Sequence, residues 1–83
     1  MIAQTKTAVV ITVSDSVHAG QRSDISGPEA RRGLEKLGLS VDGPLVVDDD
    51  GDRISELLIF SAARADLVIT TGGTGLGPRD VTP

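Results

Sequence analysis

The string Thr70-Thr71-Gly72-Gly73-Thr74-Gly75-Leu76-Gly77-Pro78-Arg79-Asp80 holds the residue types that an anion-binding loop needs. Four glycines within six residues permit positive φ and let a ligand approach the backbone closely. Threonine hydroxyls and exposed N–H groups beside them make an anion nest. Two other phosphate loops are excluded by spacing. Gly72 and Gly77 stand as far apart as in a Walker A loop, but Pro78-Arg79 occupies the place of Lys-Ser/Thr. The dinucleotide fingerprint fails as well, because Gly73-x-Gly75-x-Gly77 has the wrong spacing and follows a third strand instead of a first. The competing reading is a turn that only reverses the chain, yet four glycines exceed what turn chemistry demands. Arg79 and Asp80, as neighbours, could also be no more than an exposed ion pair of little energetic weight.

A second constellation is the acidic run Asp48-Asp49-Asp50-Gly51-Asp52. An EF-hand reading fails: with Gly51 at its sixth position, Val46 comes first and Leu57 last, where Asp and Glu are required. Helix capping and complementation of the helix dipole account for one or two of the four carboxylates. The others repel one another and would be better tolerated beside a divalent cation, so metal binding or proton transfer stays open. The third polar segment is Ser14-Asp15-Ser16-Val17-His18-Ala19-Gly20, where Ser14 and Asp15 either bind a polar ligand or close a simple Asx/ST turn, with the turn favoured. His18 has no His or Cys partner and reads as a surface residue, and Asp24 reads as part of the turn before a helix.

The elements that must position these segments are legible from periodicity. Ala8–Val13 is nearly continuous in β-branched and apolar residues, as a strand covered on both faces would be. Leu45–Val47, entered from Leu39–Val41, is a weaker second strand, and Asp66–Thr71 a third. Between the first two, Ser26-Gly27-Pro28-Glu29 has capping-box spacing, Ala30, Leu34 and Leu37 recur at helical spacing, and Gly38 supplies a stop. Between the last two, Ile54, Leu57, Leu58, Ser61 and Ala62 mark one face of a helix that begins in the acidic run and ends near Arg64. The order β-α-β-α-β argues for a parallel sheet with helices on its faces and right-handed crossovers. In such sheets ligands bind at the carboxyl ends of the strands, where all three polar segments lie.

Composition narrows the function. The 83 residues form one domain at most, with 39% hydrophobic and 24% charged residues and a mean hydropathy of +0.06. No cysteine is present, which excludes thiol nucleophiles, thiolate metal sites and disulfides, and a single histidine excludes a histidine-rich zinc site. A net charge of −4 and one aromatic residue, Phe60, argue against nucleic-acid partners. No apolar run is long enough to span a membrane, and Met1–Thr7 lacks the core of a signal peptide, so a cytoplasmic location without membrane partners is expected.

Taken together, Thr70-Thr71-Gly72-Gly73-Thr74-Gly75 with Arg79-Asp80-Val81-Thr82-Pro83, the segment Val13-Ser14-Asp15, the Asp24…Ser26-Gly27-Pro28 turn and the acidic residues after the second strand resemble the MoaB/Mog family of molybdenum-cofactor biosynthesis proteins. A related competence/damage-type family would show Leu in place of Thr74 and a second Asp near Asp80. The resemblance implies a three-layer α/β/α fold with a mostly parallel sheet, and a homotrimer. It implies adenylylation of molybdopterin by Mg-ATP, with adenylylated molybdopterin and pyrophosphate as products. The family's two functional aspartates carry over to Asp49 and Asp80, as Mg²⁺ ligands that orient the phosphates. Ser14, Asp15, Thr71, Gly72, Gly73, Thr74 and Gly75 would line the phosphate and pterin pocket.

Two departures accompany the resemblance. The family usually has Pro before its acidic pair, whereas Val46-Val47-Asp48-Asp49-Asp50 lacks it, so a register shift would make Asp48 the functional residue. The family domain also continues well past the length of this chain, and Thr82-Pro83 has the form of a helix start. Residues 1–83 are thus expected to be the N-terminal part of a single domain, inactive alone. The alternative function is a non-catalytic molybdopterin-binding or scaffold module of the same fold, and retention of both aspartates favours the enzyme.

Overall fold

The computed structural model describes residues 6–72. Its elements are strand β1 (Thr7–Val13), a single helical turn α1 (Asp15–His18), helix α2 (Ser26–Lys36), strand β2 (Ser40–Val47), helix α3 (Gly51–Ala62) and strand β3 (Leu67–Gly72). Among the described residues the strands form one sheet in the order β2-β1-β3, with both pairings parallel. This meets the expectation of an α/β fold with helices packed on a parallel sheet.

The near-continuous apolar run of β1 is explained by its central place. All its residues from Ala8 to Val13 are buried, because it has a strand at each edge and a helix against each face. Alternate side chains of a strand point to opposite faces. Val9, Ile11 and Val13 accordingly cluster with Val47 and pack against Ile54, Leu57 and Leu58 of α3. Ala8 and Val10 cluster with Val41 and pack against Ala30 and Leu34 of α2. The two helices thus lie on opposite faces of the sheet. Val10 and Ile11 are fully enclosed, and burial of such a side chain contributes about 1.5–3 kcal/mol.

Local signals set most boundaries. α2 stops at Gly38 as expected, and the two apolar pieces around residues 39–47 are one strand, β2, whose register against β1 shifts between Val9 and Ile11. The start of α2 departs from the capping-box expectation. Ile25 holds the cap position without a side-chain hydrogen bond, and it is Asp24 Oδ1 that accepts from the Gly27 amide, at 3.0 Å. Asp24 is engaged in a tertiary contact described below, so long-range packing selects it over Ser26. At the opposite end of the sheet, Asp66 Oδ2 accepts from the Thr7 amide at 2.9 Å and the Asp66 amide donates to the Thr7 carbonyl at 3.0 Å, which pins β3 against β1 in register.

A candidate binding cleft at the carboxyl ends of the strands

β1 leads into α2 and β2 on one side and is joined by β3 on the other, so the chain changes direction between β1 and β3. A crevice opens at such a switch point, outside the carboxyl ends of the strands. Here Val13 is paired with both Val47 and Gly72, which brings the three strand ends together. The cleft above them has a volume of about 650 Å³ and is lined by Thr12, Ser14, Asp15, Arg22, Asp24, Asp49 and Gly72, among others. Its size suits a small organic ligand.

The four carboxylates of the acidic run separate into distinct roles. Asp50 is the N-cap of α3, its Oδ1 accepting from the amides of Asp52 (3.0 Å) and Arg53 (3.1 Å). Asp52 sits in the first turn, where its charge complements the helix dipole. Asp48 turns toward Arg53, with Oδ1 at 4.0 Å from Nε. Asp49 is the member of the run that lines the cleft. Its amide donates to Asp15 Oδ1 at 2.8 Å, so the loop after β2 is tied to the loop after β1.

The first polar segment forms a capped turn, as favoured, and borders the cleft. Ser14 caps α1, its Oγ accepting from the Val17 amide at 3.3 Å, and it also lines the cleft. Asp15 lines the cleft and orients the backbone at Asp49. His18 is exposed, as expected.

At the end of β3, Thr71 is half-buried and its hydroxyl donates to Thr12 Oγ1 at 3.2 Å. Gly72 lines the cleft at φ +89°, and a Cβ there would collide with the Val13 carbonyl. A side chain is excluded by both conformation and space. Gly73, Thr74, Gly75 and Asp80 lie outside the described residues. Among the described residues no group of three or more His, Cys, Asp or Glu side chains is placed to hold a metal ion. Asp49 and Asp15 offer oxygen ligands of the kind a hard cation takes.

Thr12, Arg22 and Asp24 are among the lining residues that the sequence reading did not assign to a site. Thr12 left a usable signal. It is the hydroxyl-bearing position in the otherwise apolar run Ala8–Val13, and a buried hydroxyl requires a partner.

The chain matches, over residues 9–83, the family described as "Probable molybdopterin binding domain". The chain belongs to this family. Within the molybdopterin binding domain family it is 45% identical over 73 residues to the molybdopterin adenylyltransferase of Pyrococcus furiosus, an alignment spanning 88% of this chain and 43% of that protein. It is 36% identical over 77 residues to the molybdenum cofactor biosynthesis bifunctional protein of Chlorobaculum tepidum, covering 92% of this chain and 24% of that protein. A solved structure of MogA superposes with a TM-score of 0.73 at 37% identity, covering 94% of this chain and 52% of that one. The chain therefore spans about half the length, or less, of these relatives. Among the described residues no helix is long and apolar enough to cross a membrane.

Proposed function

We propose that this domain serves molybdenum-cofactor biosynthesis by binding molybdopterin and ATP at the carboxyl ends of β1, β2 and β3 and transferring adenylate to molybdopterin. The observation that carries the reading is the convergence of Asp49, Asp15 and Gly72 on one cleft at the switch point, in a family member 45% identical to a molybdopterin adenylyltransferase. In the reaction a phosphate oxygen of molybdopterin attacks the α-phosphorus of ATP. A new P–O bond forms, the bond to the β-phosphate oxygen breaks, and pyrophosphate leaves. Little covalent chemistry falls to the protein, so catalysis is positioning and charge neutralisation.

Asp49 would hold the Mg²⁺ that arrives with ATP, together with Asp80. The donor chemistry fits, because Asp49 lines the cleft while Asp50 caps α3 and Asp48 faces Arg53. Asp15 would fix the backbone from which Asp49 projects. Gly72 would let phosphate approach the strand end, and Gly73, Thr74 and Gly75 belong to the proposed phosphate- and pterin-binding set by family resemblance. A cytoplasmic homotrimer is part of the same proposal.

Adenylyl transfer by the full-length protein, followed as pyrophosphate release with molybdopterin and Mg-ATP, tests it. Asp49→Asn keeps the side-chain shape and removes the charge that a Mg²⁺–phosphate complex needs. Turnover should fall at least about a hundredfold with molybdopterin affinity near wild type, if the loss resembles removal of a single preorganised charge-stabilising group. Asp80→Asn should be at least as damaging and should weaken the Mg²⁺ dependence. Wild-type protein that binds molybdopterin without forming pyrophosphate would identify a binding module instead, and loss of turnover in Asp48→Asn but not Asp49→Asn would move the site by one residue.

A further inference from the structure

The half-buried carboxylate of Asp24 sits where three elements bordering the cleft meet. Its Oδ1 accepts from the Gly27 amide in the first turn of α2 at 3.0 Å, and its Oδ2 accepts from Thr12 Oγ1 at 2.8 Å. Thr12, buried at the end of β1, in turn accepts from the Thr71 hydroxyl of β3 at 3.2 Å. The elements approach so closely that a Cβ on Gly27 would overlap Asp24 Oδ2, Thr12 Oγ1 and Pro44 together.

An ionised carboxylate can only accept, so it dictates the direction of every bond behind it. Thr12 must spend its one hydroxyl proton on Asp24, which leaves its oxygen as an acceptor, and Thr71 spends its own proton on Thr12. Neither hydroxyl has a proton left for a phosphate oxygen. In this arrangement the Thr71 hydroxyl proton is committed to Thr12.

We infer that Asp24 is a positioning residue for the site: it polarises the Thr71–Thr12 pair so that half-buried Thr71, beside the cleft-lining Gly72 at the end of β3, presents an acceptor oxygen to ligand N–H groups, leaving phosphate to the backbone amides. The inference rests on the proposed molybdopterin and ATP binding, since both ligands carry a nitrogen heterocycle as well as phosphate. A plain helix cap would need nothing from Asp24 beyond its bond to Gly27.

Asp24→Asn separates the two roles. Asn caps a helix about as well as Asp, so the Gly27 amide should keep its protection from hydrogen exchange. Its amide nitrogen, however, donates to Thr12, which reverses the hydroxyl chain and turns the Thr71 proton outward. We expect kcat/KM for molybdopterin in the full-length protein to fall at least about tenfold, the equivalent of one misdirected hydrogen bond of roughly 1.4 kcal/mol, while pyrophosphate affinity does not fall. Thr12→Val should reproduce the loss and Thr12→Ser should restore it. Wild-type kinetics in Asp24→Asn with the Gly27 amide still protected would reduce Asp24 to a cap and overturn the proposal.

A ligand-free measurement tests the chain independently of the reaction. Wild-type protein should show a slowly exchanging Thr12 hydroxyl proton by NMR, and Asp24→Asn should shift the Thr71 and Gly72 amide resonances. Absence of that proton, or unmoved resonances, overturns the inference whatever the activity. Wild-type protein that shows the proton but neither binds nor adenylylates molybdopterin removes the proposed function and, with it, the heterocycle-facing role of the pair.

Discussion

The two faces of β1 are built from alternate residues of one strand, and they end differently. On the α3 face, Val9, Ile11 and Val13 meet Val47, Ile54, Leu57 and Leu58 in apolar contact, and α3 also buries Ser61. On the α2 face, Ala8 and Val10 meet Val41, Ala30 and Leu34, but the next residue in step is Thr12, whose hydroxyl is tied to Asp24 and Thr71. One side holds the sheet together. The other uses its last position to organise the cleft. Apolar contacts are non-directional and tolerate small shifts, whereas a hydrogen-bonded chain fixes both position and polarity. Both faces therefore contribute packing, and the α2 face adds site geometry at its last position.

The sharpest attack on this division is Ile11→Ala. Ile11 is fully buried on the α3 face, and the transfer and cavity terms together should cost about 2–5 kcal/mol in chemical denaturation. The folded fraction should bind molybdopterin with unchanged affinity. Impaired binding by folded Ile11→Ala would show that the faces are not independent.

Gly27→Ala should act on the other face. The new Cβ meets Asp24, Thr12 and Pro44, and overpacking of that kind costs about 1–3 kcal/mol. Ligand affinity should drop along with stability here, because the atoms displaced are those of the hydroxyl chain. Denaturation and binding measured on one preparation decide it: unchanged values for both would mean that α2 can move away freely.

Asp50→Ala should have a smaller effect. Loss of the N-cap costs typically about 1 kcal/mol and should show as faster hydrogen exchange at the amides of Asp52 and Arg53, whose acceptor is removed. Turnover should change little, which distinguishes Asp50 from its neighbour Asp49.

The smallest effect is expected from Glu35→Gln. The Arg31–Glu35 pair is spaced i,i+4 on α2, with Nε to Oε2 at 3.0 Å and both side chains more than 40% exposed, so about 0.3–0.5 kcal/mol is expected in denaturation. A loss above about 1 kcal/mol would exceed the usual range for an exposed pair. It would mean that this pair also steadies the bond from Arg31 Nη1 to the Gly43 carbonyl, 2.6 Å long.

Much of the framework can be read from the order of residues. The buried run Ala8–Val13, the helical spacing of Ala30 and Leu34, the stop at Gly38 and the capping role within the acidic run are local features, dictated by side-chain periodicity and backbone propensity. The resemblance of the polar segments to a known family likewise singled out Ser14, Asp15, Asp49, Thr71 and Gly72. Local information could not divide labour among them. The four aspartates of the run 48–52 look alike in sequence, and packing of α3 and the loops made Asp50 a cap, put Asp52 in the first turn, turned Asp48 toward Arg53 and left Asp49 on the cleft. Asp24 looked like a turn residue because its other partner, Thr12, is twelve positions away, and Thr71 reaches Thr12 across fifty-nine. Sequence by itself determined which segments become strands and helices and which polar residues stand at their ends. Tertiary structure alone decided which oxygens touch and which way their protons point, because a hydrogen bond depends on distances of tenths of an ångström between atoms that only the assembled sheet brings together.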